Sequence, residues 1–255
     1  MLDKDDVLEF VNSPQFQSMT TDDIAHKLGV ADDDRDRLVG LLEELQYEGY
    51  VVQMKGRHWV EPMSSGLVIG RLQCNAKGFG FLCPLREEVE EDVYISESNM
   101  GEAMHRDLAV AEYVKSSGKG LGPAGRILKV LEHENQQVVG TFLPGKKFSW
   151  VAPDEPRLFR DVYIAKGDEG GAGGDDKVVV DITAWPTLHR SPEGKVVDVL
   201  GKEGDPGVDT MSVIKQFSLR HEWPGDVLEA ARNIQGDPPE NEKKKRKALI
   251  EPTTI

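Results

Sequence analysis

The sequence predicts a multi-domain α+β protein, with an N-terminal helical domain, two small β-barrels and a short helical C-terminal segment. Three observations support this prediction: helix-spaced leucines and valines up to residue 62, a duplicated stretch of β-type residues after it, and a return of helical spacing near residue 205. At 255 residues the chain is long enough for two or three such domains. The predicted boundaries are 1–62, 63–134, 135–204 and 205–255.

The first domain is predicted to contain three helices. A first helix over residues 3–12 carries its apolar side chains on one face. Thr20 or Thr21 is expected to cap a second helix that ends at Gly29, and Asp32 is expected to cap a third. The apolar stripe of the third helix consists of Leu38, Leu41, Leu42 and Leu45.

Two β-type runs follow the third helix, at 50–54 and 58–60, and predict a hairpin around residues 55–57. Three helices and such a hairpin are typical of a winged helix-turn-helix domain, which often inserts its third helix into the major groove of DNA. Here that helix begins with four carboxylates, Asp32, Asp33, Asp34 and Asp36. Because they would repel phosphate, the pattern favours a protein-contacting or RNA-orienting role, with DNA binding as the alternative.

The region after residue 62 is a tandem duplication. Three separate segments recur 69 residues downstream: 79–82 as 148–151, 92–95 as 161–164, and 125–131 as 194–200. The second pair has the identical sequence Asp-Val-Tyr-Ile in both copies. A constant offset over three segments indicates a duplicated domain. The first loop is one residue shorter in the second copy, with seven steps from Gly70 to Lys77 and six from Gly140 to Lys146.

Each copy contains five short β-type runs separated by turn residues. Five such strands predict a small barrel of the OB type. The predicted strands are 67–74, 79–83, 92–95, 108–114 and 125–131 in the first copy, and 138–143, 148–152, 161–164, 177–184 and 194–200 in the second. Beyond the barrels, Asp209 is expected to cap one helix, and Pro224 is expected to begin another that ends near Ile234.

The duplicated segments place three aromatic residues on one face of each predicted barrel. Alternate strand residues share a face, so Phe79 and Phe81 stand beside Tyr94, while Val93 and Ile95 face the core. Such a face can stack nucleobases next to basic side chains that hold phosphate. Pattern alone leaves a second interpretation open, in which the aromatics fill the core. The candidate RNA-binding residues are Arg71, Lys77, Phe79, Phe81 and Tyr94, and in the second copy Lys146, Lys147, Phe148, Trp150 and Tyr163, with Arg160 nearby.

The first copy also resembles a known family. Residues 75–81, Asn-Ala-Lys-Gly-Phe-Gly-Phe, are similar to the first RNA-binding motif of cold-shock domains, and residues 92–95 resemble the second. In that family the aromatics stack on single-stranded bases. The resemblance therefore favours the stacking face over the core. Gly80 is expected to keep the first face flat, and Ser149, which replaces it in the second copy, to make the second face the weaker one.

The whole order of domains resembles the N-terminal half of bacterial ribonuclease R, in the ribonuclease II family. A winged helix precedes two cold-shock domains, and residues 196–209, which enter a helix, are the most specific part of the resemblance. The resemblance implies an exoribonuclease that degrades RNA hydrolytically from the 3′ end, with Mg²⁺ held by aspartates of a following catalytic domain and with an S1 domain after it. We therefore expect this chain to be a non-catalytic fragment, with no catalytic residue and no metal site of its own.

The function predicted from these features is binding of single-stranded RNA and its guidance toward that catalytic domain. The alternative is a stand-alone regulator whose winged helix contacts DNA or protein. Net charge is −14, which argues against a purely electrostatic nucleic-acid binder. Two cysteines, no signal peptide and no long apolar run predict a cytoplasmic protein without a membrane partner. The basic tract 243–247 is interpreted as a solvated tether, with a phosphate contact as its alternative.

Overall fold

The computed structural model describes residues 2–115, 122–220 and 223–234. The chain divides into two compact units, Met1–Gln216 and Phe217–Ile255. The helices are α1 Lys4–Val11, α2 Thr21–Leu28, α3 Arg35–Tyr47, α4 Val208–Gln216 and α5 Gly225–Arg232. The strands are β1 Met19–Thr20, β2 Val52–Gln53, β3 His58–Val60, β4 Leu67–Cys74, β5 Gly80–Pro84, β6 Val93–Ile95, β7 Leu108–Val114, β8 Ala124–Glu132, β9 Gln137–Leu143, β10 Ser149–Pro153, β11 Val162–Ile164, β12 Asp176–Ala184 and β13 Glu193–Lys202.

Side-chain caps define the first two helices of the winged helix. Asp3 and Thr20 each accept a hydrogen bond from a backbone N–H one turn later, and in both cases an aspartate completes a capping box. Gly29 ends α2 with a φ of 66°, a left-handed conformation that favours glycine. The predicted cap at Asp32 is wrong: residues 32–34 form a 3₁₀ turn, and the Asp32 carboxylate instead accepts from Arg35 Nε at 2.9 Å.

The winged-helix core is built from the faces of the three helices and from the sheet beside them. Its buried members include Val7, Ile24, Leu38, Leu42 and Leu45. Its sheet has three strands in the order β1-β3-β2, so Met19–Thr20 adds a strand that the sequence did not predict. Two-residue strands carry too little periodicity to be recognised, and this one exists because it pairs with His58–Trp59.

The two copies fold into two closed five-stranded barrels with the same topology. The strand orders are β4-β5-β6-β8-β7 and β10-β11-β13-β12-β9. Gly70 pairs with Pro84 in the first barrel, and Gly140 pairs with Pro153 in the second. The glycines are therefore 70 residues apart and the prolines 69, which confirms the shorter first loop. The predicted fold class, a winged helix followed by two OB-type barrels, is confirmed.

Each barrel has its own apolar core from the inward strand faces. Leu72, Leu82, Val93 and Ile95 are fully buried in the first, and Val151, Val162, Ile164 and Val178 occupy the second. Burial of this kind contributes about 1.5–3 kcal/mol for each large aliphatic side chain. These inward residues alternate with the outward side chains that form the candidate interface.

The outer surface of each barrel is partly covered by another element of the same compact unit, a wing strand at the first barrel and a helix at the second. In the first barrel, Leu67, Ile69, Leu108 and Val110 form a buried cluster with Val52 of the winged helix. In the second barrel, α4 packs against β9, β12 and β13. Arg86, after β5, strengthens the first contact, because its guanidinium pairs with Glu61 at 3.2 Å and lies 4.9 Å from the centre of the Tyr50 ring.

The first helix of the C-terminal segment begins two residues earlier than a cap at Asp209 predicts. Helix α4 starts at Val208, which places Asp209 in its first turn and not at its cap. The second predicted helix, from Pro224 to near Ile234, is α5, which is shorter at both ends. Pro224 is its N-cap, a position that suits proline because it has no backbone N–H to satisfy. The basic tract 243–247 lies outside the described residues. Among those described, none of the helices is long and apolar enough to cross a bilayer.

Candidate nucleic-acid interface

Three aromatic rings form a compact cluster on the outer face of the first barrel. Tyr94 on β6 lies directly opposite Phe81 on β5, and their ring centroids are 5.8 Å apart. Phe79 lies just before β5, with its ring centroid 6.0 Å from Phe81 and 5.8 Å from Tyr94. We call these three residues the first platform. Their mutual contacts are edge-on or tilted, so ring faces stay available to a stacking partner.

The second barrel repeats the same arrangement. Trp150 on β10 lies opposite Tyr163 on β11, with centroids 5.6 Å apart. Phe148 is 5.6 Å from Trp150 and 5.4 Å from Tyr163. The interplanar angles also match, since 86°, 40° and 67° in the first platform correspond to 89°, 45° and 79° here. We call Phe148, Trp150 and Tyr163 the second platform.

The six platform rings lie outside the barrel cores. Their strand neighbours Leu82, Val93 and Ile95 are fully buried, whereas Phe79, Phe81 and Tyr94 are partly exposed. In the second platform Phe148 is 40% exposed, and Trp150 and Tyr163 are partly exposed. The alternative that the aromatics are core residues does not fit this placement. Their role in RNA binding stays a prediction.

The glycine between the aromatics acts in the barrel interior and not on the aromatic face. A Cβ at Gly80 would lie 3.1 Å from Leu72 Cδ1 and 3.0 Å from the Gln73 carbonyl oxygen. Gly80 therefore allows β5 to approach β4 closely. Ser149, the equivalent residue, is also buried and accepts from the Gly145 N–H at 3.4 Å. The expectation that Gly80 flattens the first face is wrong, while the weaker binding expected of the second face stays a prediction.

Basic side chains stand beside each platform. Lys77 lies in a turn in which its N–H donates to Asn75 Oδ1 at 3.0 Å, and Gly78 has a left-handed φ of 88°. This turn exposes the Lys77 side chain next to Phe79. In the second barrel the exposed Lys146 and Lys147 precede the platform directly. All three lysines are exposed next to a platform, and their contact with phosphate stays a prediction.

Arg71 is less free than the sequence indicates. It lies on β4 on the same outer face as Gln73, which pairs with Phe81. Its guanidinium donates to the Arg106 carbonyl oxygen at 3.2 Å, and it pairs with Glu132 at 3.2 Å and with Glu134 at 3.7 Å. Because two carboxylates neutralise it, Arg71 is the weakest of the predicted phosphate contacts.

A buried network at the connection between the barrels was not predicted. Asp107 is fully buried and accepts from the Met104 N–H at 2.8 Å and the Glu134 N–H at 3.0 Å. It also contacts His133 Nδ1 at 2.7 Å, and the His133 ring stacks on Trp185 of the second barrel at 3.6 Å. Burial raises the pKa of Asp107, and the backbone N–H of Met104 opposes that shift most strongly. Residues so far apart in sequence leave no local pattern that would reveal this network.

Another buried polar group lies close to this connection. His105 is 3% exposed, and its Nδ1 accepts from the Cys74 N–H at 3.1 Å. Burial, and then the positive charge of Arg157, lower the pKa of His105 to about 4. The imidazole is therefore neutral at neutral pH, with its proton on Nε2, because Nδ1 accepts a hydrogen bond.

The two cysteines are free thiols on opposite faces of one hairpin. Cys74 is buried on the inner face of β4, while Cys83 on β5 pairs with Arg71 of the outer face. Because their Cβ atoms point to opposite faces of the sheet, the two side chains do not form a disulfide. Burial raises the pKa of Cys74 to about 12 and that of Cys83 to about 11, so both are weakly reactive.

Comparison with family models identifies both barrels. The model described as "Ribonuclease B OB domain" matches residues 70–130, and the model described as "Cold shock domain" matches residues 150–224. Each match contains one of the Tyr-bearing strands, β6 or β11. The resemblance inferred from the two aromatic motifs is confirmed.

Curated relatives extend this similarity over most of the chain. Ribonuclease R of Thermotoga maritima is 30% identical over 235 residues, which is 91% of this chain and 32% of that protein. Ribonuclease R of Acidithiobacillus ferrooxidans is 27% identical over 233 residues, 91% of this chain and 52% of that protein. Ribonuclease R of Escherichia coli is 28% identical over 225 residues, which is 87% of this chain and 27% of that protein. The chain thus spans between about a quarter and about half of these relatives.

Solved structures confirm the fold. Ribonuclease R of Mycoplasma genitalium, in a complex with ribose-methylated single-stranded RNA, superposes with a TM-score of 0.58 at 18% identity and covers 70% of this chain and 28% of that one. Yeast Ssd1, described as a pseudonuclease, gives a TM-score of 0.51 at 18% identity, with 60% and 25% coverage. At such low identity these likenesses establish a common fold.

Proposed function

We propose that this chain, a relative of ribonuclease R over nine-tenths of its length, binds single-stranded RNA through its two platforms. The observation that carries the proposal is the matched geometry of two outward-facing aromatic clusters, the first preceded by one exposed lysine and the second by two. Base stacking on an aromatic ring contributes about 1–3 kcal/mol per base and tolerates any sequence. The Mycoplasma relative that shares the fold is described in a complex with single-stranded RNA, which supports the same ligand class here.

The electrostatics of the chain set the character of this binding. A net charge of −14 provides no general attraction for RNA, so affinity depends on local lysines and on stacking. We expect dissociation constants near the micromolar range, with affinity falling as salt rises because phosphate contacts release counterions. The binding is expected to favour single strands, since paired bases do not offer their faces to aromatic side chains.

The larger function we propose is the guidance of RNA in a hydrolytic 3′-to-5′ exoribonuclease, with cytoplasmic location as part of the same proposal. The ribonuclease R relatives support this assignment. Among the described residues, no group of three or more His, Cys, Asp or Glu side chains could hold a metal ion. These residues therefore do not fit a Mg²⁺ site, and we assign Mg²⁺ and hydrolysis to a catalytic domain other than these barrels. We propose that domain and an S1 domain as the partners of this chain.

The alternative of a DNA-binding regulator is less favourable. The beginning of α3 carries the carboxylates of residues 32–36 where phosphate would approach. One of the two wing strands is also occupied, because Val52 is buried against the first barrel. A wing used in this intramolecular contact is not free to enter a groove of DNA. We propose that the winged helix supports the first barrel.

The test is direct measurement of RNA affinity with platform variants. Fluorescence anisotropy with labelled oligouridine should show binding that competing single-stranded RNA removes and duplex RNA removes poorly. Combined replacement of Phe81 and Trp150 by alanine should weaken binding by about 30-fold or more, since two stacking contacts of about 1–3 kcal/mol each are lost. Tyr47→Ala is the matched control, because Tyr47 is a 48% exposed aromatic residue of the winged helix outside both platforms, and its replacement should leave the affinity unchanged. Unchanged affinity in the platform variant, measured at a temperature where it is still folded, would remove the proposed function.

A further inference from the structure

We propose that Phe159 and Arg160 of the second barrel are positioning residues that hold the RNA-binding turn of the first barrel. In this arrangement the two platforms are fixed relative to each other and bind one RNA strand as a unit. The inference rests on the proposed function, because it concerns how the same two faces cooperate. It is carried by the contacts around Gly78, which connect the barrels next to the first platform.

The turn that contains Lys77 is tightly built. Asn75 donates its N–H to the Phe79 carbonyl oxygen at 2.7 Å, and Gly78 donates its N–H to the Asn75 carbonyl oxygen at 3.0 Å. Lys77 donates its N–H to the Asn75 side chain. The turn therefore sets the direction of Lys77 and the entry of Phe79 into the platform. Any group that presses on this turn influences both.

Phe159 of the second barrel borders this turn. A Cβ at Gly78 would lie 3.6 Å from Phe159 Cε2 and 3.1 Å from Glu97 Oε2, so both side chains border the turn. Phe159 lies between β10 and β11, yet it packs against the apolar core of the first barrel. Phe159 is thus part of the second barrel in sequence, but its side chain packs against the first barrel.

Arg160 fixes the position of that loop. Its guanidinium donates to the Thr187 carbonyl oxygen at 2.6 Å and to the Arg190 carbonyl oxygen at 3.5 Å. It also pairs with Glu97 of the first barrel at 3.4 Å, and lies 5.5 Å from the Phe159 ring centre. Since its side chain is only 19% exposed, Arg160 is a structural contact and not the free phosphate ligand expected beside the second platform.

The duplication shows that this contact is specific to the second copy. At the offset of 69, the first copy has Glu90 and Glu91 where the second has Phe159 and Arg160. The first copy uses its equivalent loop to contact the winged helix through Arg86. The two barrels therefore differ in this loop, which contacts the winged helix in the first copy and the first barrel in the second. Strand β11, which carries Tyr163 of the second platform, begins just after this loop.

Fixing the two platforms relative to each other has a measurable consequence. After one platform binds, the other meets the same strand at a high effective concentration, which raises affinity about 100-fold or more without any new contact. An OB barrel covers about 4–16 nucleotides. An RNA of about 6 nucleotides engages one platform, whereas one of about 20 can reach both. Loosening the contact should reduce the gain for the long RNA and leave the short one unaffected.

The experiment measures affinity for these two lengths of oligouridine with the full chain and its variants. The unmodified chain should bind the long RNA about 100-fold more tightly than the short one. Phe159→Ala should reduce that ratio by about tenfold, with affinity for the short RNA unchanged. Arg160→Gln is the second variant, in case Phe159→Ala does not fold. Arg157→Gln is the matched control, because Arg157 lies in the same loop but pairs with Glu155 of that loop at 2.8 Å.

Each outcome decides between the possibilities. A length ratio that falls in Phe159→Ala and Arg160→Gln, but not in Arg157→Gln, supports the inference. Equal weakening of both RNAs would show direct contact or local damage to the platform and would overturn it. Equal affinity of the unmodified chain for the long and the short RNA would also overturn the inference. In that case, platform-dependent binding of the short RNA would leave the proposed function intact. If neither RNA binds in a platform-dependent manner, the proposed function itself fails.

Discussion

Replacement of Phe81 by alanine separates stacking from packing. Phe81 is partly exposed, and its ring contacts are edge-on to Phe79 at 6.0 Å and to Tyr94 at 5.8 Å. Each such pair contributes about 0.5–1.5 kcal/mol, so we expect a loss of about 1–3 kcal/mol in unfolding free energy. The lost base contact should cost a further 1–3 kcal/mol of binding, or about 5- to 150-fold in RNA affinity.

The assay combines thermal unfolding with RNA titration on the same protein preparation. Leu82→Ala is the matched control, because Leu82 is the next residue on β5 but is fully buried. It should lose about 2–5 kcal/mol of stability and, at a temperature where it is still folded, little RNA affinity. The reasoning is refuted if Phe81→Ala retains full RNA affinity while folded, or if Leu82→Ala loses affinity to the same extent.

Three further predictions concern acidity, catalysis and DNA. The pKa of His105 is about 6.5 in the unfolded chain but about 4 in the folded one, so the free energy of unfolding should fall by up to about 3 kcal/mol as the pH is lowered from 6.5 to 4. Urea titrations of His105→Asn should show a smaller loss over the same pH range. Purified chain with Mg²⁺ should leave labelled single-stranded RNA intact on gels, and shortening that co-purifies with the chain through every step would contradict this. Mobility-shift assays at physiological salt should show no binding of the intact chain to duplex DNA through its winged helix, and a footprint protected at one defined sequence would restore the regulator.

The fold was predictable because two independent periodicities agree. Helix-spaced leucines identified α3, and the offset of 69 residues identified the barrels even though single strands are short. The alternation around Phe81 and Leu82 also predicted correctly which side chains face outward. Where a pattern repeats within one chain, the second copy provides the internal check that a single strand cannot provide.

Other features depend on contacts between distant residues, which sequence periodicity does not record. Asp32 is a residue type that commonly caps helices, but its carboxylate pairs with Arg35. Phe159 has no aromatic counterpart in the first copy, so the repeat gave no reason to select it. His133 contacts Asp107 through Nδ1 and stacks on Trp185, which links the two barrels at their connection. Long-range packing decides each of these positions.

The central claim is that RNA stacks on the two platforms. Its most direct test is NMR of the chain with labelled phenylalanine and tyrosine rings, titrated with oligouridine, because a stacked base shifts ring protons upfield. We expect shifts of Phe79, Phe81 and Tyr94, and of Phe148 and Tyr163, while the winged-helix rings of residues 10 and 16 stay unchanged. Shifts confined to the winged-helix rings, with unperturbed platforms, would contradict it.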